Sequence, residues 1–290
     1  MRILFVCSEY PPAPHGGIGV FVFTLAHKME ELGHQVFVIG YDKTKVSSTV
    51  EDDKGVMVFR LASPYTKSKE IKISRFTFSA RILLDRMYLS KQINELVSSQ
   101  EIEIVESYDW SGPLWSKPNA PLVVRLHGAN SANQFFEKKN QSRLLRFFER
   151  KNILMADYLI AVSDHIGKTT LEALNIKNKK YKLIYNGVDI QVFKNLKIQR
   201  EKNQILFVGS VTRRKGIFQL FQAFNLVLQQ MPETKLIVIG SLPMDEEQLL
   251  INDLLKIIPE DKRDNVNFLG RISHDLIPEY YNRASIAVFP

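Results

Sequence analysis

Residues 2–39 read RILFVCSEYPPAPHGGIGVFVFTLAHKMEELGHQVFVI, and this stretch decides the fold. Its apolar ends, Arg2–Cys7 and Gln35–Ile39, predict two strands. Apolar residues between them recur at the spacing of one helical face: Ile18, Phe21, Val22, Leu25, Met29 and Leu32. Gly33 follows the last of these and is placed to cap the C-terminus of the helix. A strand, a helix and a strand in this order form a βαβ unit, which predicts a parallel sheet.

Further apolar runs extend this pattern along the chain. In the first part they are Val56–Arg60, Ile102–Glu106, Pro121–Leu126, Asp157–Val162 and Lys182–Tyr185. After the polar stretch Lys194–Asn203 the pattern restarts with Gln204–Val208, Lys235–Ile239, Val266–Leu269 and Ser285–Phe289, joined by helices at about 215–230, 245–257 and 274–283. Strands without polar alternation are covered by helices on both faces. The prediction is therefore an α/β protein with two doubly wound, Rossmann-like parallel sheets.

The polar stretch is interpreted as a linker, which divides the chain into domains at 1–196 and 197–290. The second domain ends at Pro290, directly after an apolar strand and with no helix to follow it. Because a buried parallel strand needs cover on both faces, we expect this domain to be incomplete and the chain to be truncated at its C-terminus.

Composition excludes several classes of protein. The 290 residues are 45 % hydrophobic and 24 % charged, which suits two buried cores and excludes a disordered or fibrous chain. The single cysteine, Cys7, excludes a disulfide framework and a cysteine-based metal site. No apolar stretch reaches the roughly 20 residues that span a bilayer. We therefore expect a soluble, cytoplasmic protein.

The net charge of +8 is unevenly distributed. Residues 1–200 carry 29 Lys and Arg against 20 Asp and Glu, whereas residues 201–290 carry 10 against 11. A basic first part predicts an anionic partner, such as phosphate groups or a membrane surface. The near-neutral remainder argues against a nucleic-acid partner.

The loop after the first strand, Ser8–Gly19, predicts an anion-binding helix start. Gly16, Gly17 and Gly19 would let the backbone approach a phosphate closely. The dinucleotide fingerprint matches poorly because its third glycine is missing. Asp42 nevertheless follows the second strand, where a ribose-binding acid would lie, so an NAD-dependent oxidoreductase remains an alternative. A flexible loop without a ligand is the other alternative.

Two more strand ends carry polar residues. His127 follows the predicted strand Pro121–Leu126, where a neutral imidazole could hydrogen-bond a polar substrate, although an isolated histidine is often structural. In the second domain, Arg213, Arg214 and Lys215 lie between a strand and a helix. Three neighbouring cations repel one another and oppose the helix dipole, which favours a bound anion over a solvated basic turn.

Taken together, these residues resemble a known family. The motifs are Pro11-Pro-x-x-x-Gly16-Gly17-x-Gly19, Leu126-His-Gly128, Ala161-Val-Ser163, Tyr185-Asn-Gly-Val-Asp189 with Phe193, Phe207-Val-Gly209 with Arg214-Lys-Gly216, and Phe268-Leu-Gly-Arg271 before Tyr280-Tyr281. Their order and spacing are similar to those of the retaining, nucleotide-sugar-dependent glycosyltransferases of the GT-B fold, the group that includes glycogen, sucrose and phosphatidylinositol mannosyl transferases.

The resemblance implies roles for particular residues. His127, Arg214 and Lys215 would be catalytic, the two cations by neutralising the diphosphate leaving group. The donor would be bound by Gly16, Gly17, Gly209, Ser210, Arg213, Gly240, Ser241, Arg271 and Ile272. Asp109 and Asn130 would lie on the acceptor side, and the Ser163 hydroxyl would support the cleft wall. The reaction would be transfer of a sugar from a UDP-, GDP- or ADP-linked donor to a glycan or lipid-linked hydroxyl, with retention of configuration.

The sequence also departs from the family pattern. Ser210 stands where many members have Arg, so Arg213 or Arg214 is expected to replace that cation. The Glu-x7-Glu segment that binds the donor in the family would begin just beyond Pro290, so this chain is expected to be a fragment with impaired turnover. No Asp-x-Asp occurs, and we expect neither a metal nor a cofactor. No covalent nucleophile is evident, and Asp109 is the carboxylate to test. A non-catalytic nucleotide- or glycan-binding module is the main alternative function.

Lys138–Lys151 carries six cations around four large apolar residues. Such an amphipathic pattern is usually a core face with a solvated back. The alternative is docking to an anionic membrane surface, which would suit a lipid-linked acceptor. Acceptor recognition is expected in the loops Ser63–Ile73 and Trp110–Asn119.

Overall fold

A computed structural model of the chain describes residues 1–13, 16–42, 45–62, 75–132, 142–242 and 247–290. The chain forms two compact units, Met1–Val188 and Asp189–Pro290. The boundary lies eight residues before the one expected from the polar linker. Phe193 explains the difference, because its ring packs against His274 and Tyr281 of the second unit.

The described residues of the first unit contain an eight-stranded sheet in the order β3-β4-β2-β1-β5-β6-β7-β8. The strands are β1 Arg2–Val6, β2 Gln35–Tyr41, β3 Thr49–Asp53, β4 Val56–Leu61, β5 Ile104–Tyr108, β6 Leu122–Leu126, β7 Tyr158–Ala161 and β8 Lys182–Leu183. All neighbours pair in parallel except β3, which pairs antiparallel with β4. The helices are α1 Gly17–Glu31, α2 Arg75–Ser99, α3 Arg143–Met155 and α4 Asp164–Ala173.

Alternating side chains of β1 enter separate cores on the two faces of this sheet. Leu4 and Val6 belong to one apolar cluster, whereas Ile3 and Phe5 pack in another with Val22 of α1. Strands with both faces covered are buried throughout, which confirms the interpretation of the uninterrupted apolar runs.

The second unit holds a four-stranded sheet among its described residues, in the order β11-β10-β9-β12, and all of its pairings are parallel. Its strands are β9 Gln204–Val208, β10 Lys235–Ile239, β11 Val266–Gly270 and β12 Ile286–Ala287. Its helices are α5 Ile217–Gln230, α6 Glu247–Leu255 and α7 Ile277–Arg283, with short 3-10 helices at Arg213–Lys215, Glu260–Asn265 and His274–Leu276. Apolar clusters again lie on both faces of the sheet.

The order of strands places a switch point in each sheet. In the first unit the chain moves outward from β1 in one direction and then returns to its other side with β5. In the second unit β9 and β12 have the same relation. Ligands of doubly wound sheets bind beyond the carboxyl ends of the strands at such points. The loops that follow β1, β5 and β9 are therefore the places to look for a site.

Some elements differ from their sequence expectation. The edge strand β3 and the 25-residue helix α2 were not predicted. The sequence of β3, TVEDD, is too polar to be recognised as a strand. Only one face of this edge strand packs against the protein, so the residues of its other face are polar. Gly33 has the positive φ of 83° expected of a helix-ending glycine. Among the described helices, none has the length and apolar character needed to cross a membrane.

Candidate functional site

The glycine loop after β1 is held by a buried arginine of the β3–β4 hairpin. Arg60 is 5 % exposed and donates to the carbonyl oxygens of Tyr10, at 2.9 Å, and of Pro11, at 2.6 Å. The Tyr10 hydroxyl in turn donates to Asp53 at 2.9 Å. Sequence reasoning missed these residues, because β3 and β4 approach the loop only in the folded sheet.

Gly16 and Gly17 at the start of α1 are exposed, whereas Gly19 is buried. The Gly16 N–H donates to the Glu9 carboxylate at 2.8 Å, and a Cβ added at Gly16 would lie 3.1 Å from that carboxylate. A Cβ added at Gly17 would meet nothing within 4 Å. Packing within the chain therefore does not require glycine at position 17, whereas close approach of a ligand would. The neighbouring Pro14 and His15 lie outside the described residues.

His127 stands directly after β6 on a backbone held by Asp109. Asp109 is fully buried, and its two carboxylate oxygens accept from the N–H groups of His127, at 2.9 Å, and Gly128, at 3.1 Å. Burial raises the pKa of Asp109 to about 7, against which these two hydrogen bonds act. In this arrangement Asp109 supports the loop that carries His127 and does not present its oxygens to an acceptor.

The His127 imidazole contacts the first turns of α1. Its ring lies edge-on to the Phe21 ring, with 5.2 Å between the two ring centroids. The Arg125 guanidinium lies over the same Phe21 ring, 4.7 Å from its centroid. Burial and, second, the charge of Arg125 lower the pKa of His127 to about 4. An imidazole with this pKa is neutral at pH 7. These contacts bring His127 close to the helix that begins at Gly17.

A second buried carboxylate, Glu149 of α3, ties the loops after β5 and β6 together. It is fully buried and accepts from the N–H groups of Ser111, Asn130 and Ser131 at 2.9, 2.9 and 3.0 Å. Asn130, an expected acceptor-side residue, thus has its backbone fixed. A glutamate inside an amphipathic helix gave no sign of this role in the sequence.

The carbonyl groups of the turn after β5 are also bound by a charged side chain. Arg86 of α2 donates to the carbonyl oxygens of Ser111 and, at 2.8 Å, of Gly112, and its guanidinium lies 4.4 Å from the Phe148 ring centroid. Burial lowers the pKa of Arg86. Gly112 has φ of +54°, and a Cβ there would lie 2.3 Å from the Phe148 backbone. The turn therefore packs directly on α3.

In the second unit, the three cations form a 3-10 helix after β9. Arg213, Arg214 and Lys215 are exposed, and the Arg213 guanidinium lies 3.9 Å from the centroid of the Phe218 ring. Partial desolvation and then the charge of Arg214 lower the pKa of Lys215. Gly216 follows with φ of +70° and begins α5 without a side-chain cap. Of the three side chains, Arg213 is held by an aromatic ring.

Backbone hydrogen bonds join the three loops at the carboxyl edge of this sheet. The Gly209 N–H donates to Ile239 at 2.9 Å, and the Gly240 N–H donates to Gly270 at 2.8 Å. Val211 donates to Ser241 at 3.0 Å. Gly240 has φ of +151°, and a Cβ there would lie 1.8 Å from the Gly209 carbonyl oxygen. Glycine at position 240 is therefore required by the close approach of two loops.

The structure thus assembles the expected donor residues of the second unit along one edge. Ser210, Ser241 and Arg271 are exposed there, while Ile272, like Tyr280 and Tyr281, packs against the small core on one face of the sheet. Their roles toward a ligand stay predictions. Ser163 of the first unit caps α4, its hydroxyl accepting from Ile166 N–H at 3.1 Å.

Other expectations concern residues outside this edge or outside the description. Asp42 is 5 % exposed after β2, and its N–H donates to the Leu61 carbonyl oxygen at 3.0 Å. The expected acceptor loop Ser63–Ile73 and residues 138–141 of the basic segment lie outside the described residues. Within the described ranges, no group of three or more His, Cys, Asp or Glu side chains could hold a metal ion.

Sequence models of two families match the chain. The one described as Glycosyltransferase Family 4 matches residues 15–192, and the one described as Glycosyl transferases group 1 matches residues 189–290. An uncharacterized glycosyltransferase of Methanocaldococcus jannaschii is 25 % identical over 310 residues, which cover 100 % of this chain and 74 % of that protein.

Solved structures agree in fold. Sucrose-phosphate synthase from Thermosynechococcus elongatus superposes with a TM-score of 0.76 at 18 % identity, covering 100 % of this chain and 75 % of that one. The trehalose-6-phosphate protein from E. coli bound with UDP-2-fluoro glucose superposes with a TM-score of 0.68 at 12 % identity, covering 100 % and 78 %. These neighbours are GT-B proteins, so the expected fold is confirmed.

Proposed function

The chain belongs to the glycosyltransferase family in which a family 4 domain precedes a group 1 domain, and from this membership we propose how it acts. It transfers a glycosyl residue from a nucleoside-diphosphate sugar to the hydroxyl of a glycan or a lipid-linked glycan. The configuration of the anomeric carbon is retained, and no metal ion takes part.

The observation that carries the proposal is the cationic turn after β9. Arg214 and Lys215 are exposed at the carboxyl edge of the sheet, beside the uncapped N-terminus of α5. A diphosphate leaving group gains negative charge as the sugar–phosphate bond breaks. Two cations and a helix N-terminus can neutralise that charge at fixed positions. They supply the electrostatic role that a metal ion has in other transferases.

Ser210 stands where many members of the family have an arginine, so one cation of the family pattern is missing at this position. Arg213 is fixed over the Phe218 ring, whereas the structure shows no such ring under Arg214 among the described residues. We therefore assign the replacement of the missing cation to Arg214, with Arg213 as a neighbouring positive charge. The loops at Gly209, Gly240 and Gly270 are joined by backbone hydrogen bonds and supply a compact backbone surface for the nucleotide.

In the first unit, a neutral His127 hydrogen-bonds the donor sugar near its reacting carbon. Its ring is oriented by Phe21, and its backbone by Asp109. Asp109 acts through His127 because both of its oxygens are engaged with backbone N–H groups. The acceptor hydroxyl oxygen bonds to an oxocarbenium-like anomeric carbon on the face from which the diphosphate leaves, and the hydroxyl proton passes to the departing diphosphate oxygen. The retained product needs no covalent enzyme intermediate.

Calorimetric titration with UDP, GDP and ADP tests the phosphate site. Arg214→Ala combined with Lys215→Ala should weaken the preferred nucleotide by roughly tenfold or more, because hydrogen bonds to charged groups contribute about 1.5–3 kcal/mol each. Lys202→Ala combined with Lys235→Ala removes the same charge from exposed positions of the same unit and serves as the control. Equal affinity of the two double variants would remove the assignment.

The stereochemical proposal is tested on the first product formed. Proton NMR of the anomeric signal should show the configuration of the donor, and addition of a chelator should leave the rate unchanged. A product of opposite configuration would exclude retention. Tight nucleotide binding without turnover on any glycan acceptor would instead favour the alternative of a non-catalytic binding module.

A further inference from the structure

Helix α3 has an unusual outward face. Its exposed side chains are Arg143, Phe147, Arg150 and Leu154, spaced four, three and four residues apart along one side of the helix. Phe147 is 57 % exposed and Leu154 is 41 % exposed. The opposite side is buried and carries Phe148, Glu149, Asn152 and Ile153. The solvent side of α3 therefore combines two large apolar groups with two guanidinium groups.

This arrangement separates residues that the sequence pattern had grouped together. Phe148 is fully buried, whereas Phe147 points outward, because adjacent residues of a helix lie about 100° apart. The core therefore accounts for Phe148 but not for Phe147. Among the residues that the structure describes, no carboxylate lies within ion-pair distance of Arg143 or Arg150. Both guanidinium groups are available to an external anion.

A groove continues this face toward the segment that follows α4. It has a volume of about 320 Å³ and lies between the C-terminal half of α3 and that segment. Its walls combine the cations Arg150, Lys177 and Lys179 with the apolar side chains of Leu154 and Ile176. Cations beside apolar groups suit an amphiphile, which has an anionic head and a hydrocarbon body.

We propose that Arg143, Phe147, Arg150 and Leu154, with Lys177 beside them, dock onto the surface of a bilayer containing anionic phospholipid. The guanidinium groups bind lipid phosphates, and Phe147 and Leu154 enter the boundary between headgroups and acyl chains. The charge of residues 1–200, 29 Lys and Arg against 20 Asp and Glu, adds longer-range attraction to such a surface. This surface belongs to the first unit and the cationic turn after β9 to the second, and docking does not depend on the transfer reaction.

Vesicle co-sedimentation of the full chain tests the proposal. Wild type should bind vesicles of phosphatidylcholine with phosphatidylglycerol and not vesicles of phosphatidylcholine alone, and added salt should weaken binding. Arg143→Glu combined with Arg150→Glu should lower the partition coefficient by roughly tenfold or more. Lys202→Glu combined with Lys235→Glu makes the same change of net charge elsewhere and should have a much smaller effect. Equal loss in the two variants would show that only overall charge matters and would overturn the docking face.

The apolar residues need a separate test. Phe147→Ser combined with Leu154→Ser leaves the charge unchanged and should also reduce binding, whereas Leu226→Ser, at an exposed leucine of the second unit, should not. The proposal of membrane docking would be refuted if Phe147→Ser combined with Leu154→Ser bound the vesicles as wild type does and bound a soluble polyanion such as heparin with the same affinity as the vesicles. That result would identify a site for polyanions. A wild-type urea transition detected by the fluorescence of Trp110 and Trp115 shows that the first unit of each α3 variant is folded. Nucleoside-diphosphate affinity, measured separately, distinguishes failure of docking from failure of the transferase proposal.

Discussion

At the scale of single residues, buried charges organise the first unit. Asp109, Glu149, Arg60 and Arg86 are buried or partly buried, and each binds backbone groups of a loop at the carboxyl edge of the sheet. A buried charge is costly unless hydrogen bonds satisfy it. The loops that they hold are therefore fixed in position, which a site that must orient a sugar requires.

Asp109 should make the stability of the first unit depend on pH. Its pKa is about 7 in the folded state and 3.8 without burial, so between these values the folded protein binds the extra proton. The free energy of unfolding should consequently fall as pH rises from about 4 to 7, by about 1.4 kcal/mol for each unit of pKa difference. Urea unfolding followed by tryptophan fluorescence measures this, because Trp110 and Trp115 are the two tryptophans and both lie in the first unit.

Asp109→Asn should remove this part of the pH dependence. Glu172→Gln changes an exposed carboxylate of α4 and should leave it in place. If wild type and Asp109→Asn lose stability in parallel between pH 4 and 7, the carboxyl group does not titrate in this range.

At the scale of elements, helices and strand ends hold the site loops in register. Glu149 connects α3 to the loops after β5 and β6, and α2 reaches the first of these loops through Arg86. In the second unit, the loops after β9, β10 and β11 contact one another through their own backbones. Buried charged side chains therefore hold the loops of the first unit in place, whereas close backbone contacts at glycines hold the loops of the second.

Glu149→Gln should destabilise the first unit by about 2–4 kcal/mol, because an amide oxygen replaces two acceptor oxygens and its NH₂ group faces buried N–H groups. Fluorescence-detected urea unfolding measures the loss, with Glu172→Gln as the exposed control. The turnover rate should fall, since Asn130 and Ser111 are released, while nucleoside-diphosphate affinity should not change. Wild-type stability would contradict the anchoring role.

Gly240→Ala and Gly17→Ala should differ in their effects. A Cβ at position 240 would overlap the Gly209 carbonyl oxygen, so this variant should destabilise the second unit and weaken nucleotide binding. A Cβ at position 17 meets open space, so Gly17→Ala should keep wild-type stability. Any loss of turnover in this variant would then indicate that a ligand approaches Gly17 closely. Calorimetric unfolding compares the two. A folded Gly240→Ala with wild-type stability would show that the loops can separate freely.

At the scale of the whole molecule, two units with separate cores carry different charges and different candidate site residues. The basic excess lies before residue 201, and the cationic turn lies after it. Each unit has its own apolar clusters, which favours unfolding in two steps.

Calorimetry of the full chain should therefore show two transitions, of which tryptophan fluorescence detects only the one of the first unit. A nucleoside diphosphate at 100 times its Kd should stabilise the other transition by about 2.7 kcal/mol. The fluorescence-detected transition should move less. Equal shifts of both transitions would show that the nucleotide also stabilises the first unit.

The sequence by itself determined the α/β class, the parallel sheets and the positions of His127 and the cationic turn. These follow from local signals: apolar runs of strand length, helical periodicity, and polar residues placed directly after strands. The same signals missed β3, whose residues are mostly polar, and could not show on which side of α3 Phe147 would lie.

Only the tertiary structure decided what Asp109, Glu149 and Arg60 do. Their partners are backbone groups 18 or more residues away, and backbone N–H and carbonyl groups are the same at every position of a sequence. Which of these groups a charged side chain reaches depends on the order of strands and the packing of helices. A sequence pattern locates the chemistry at strand ends, and the packed fold determines how that chemistry is held.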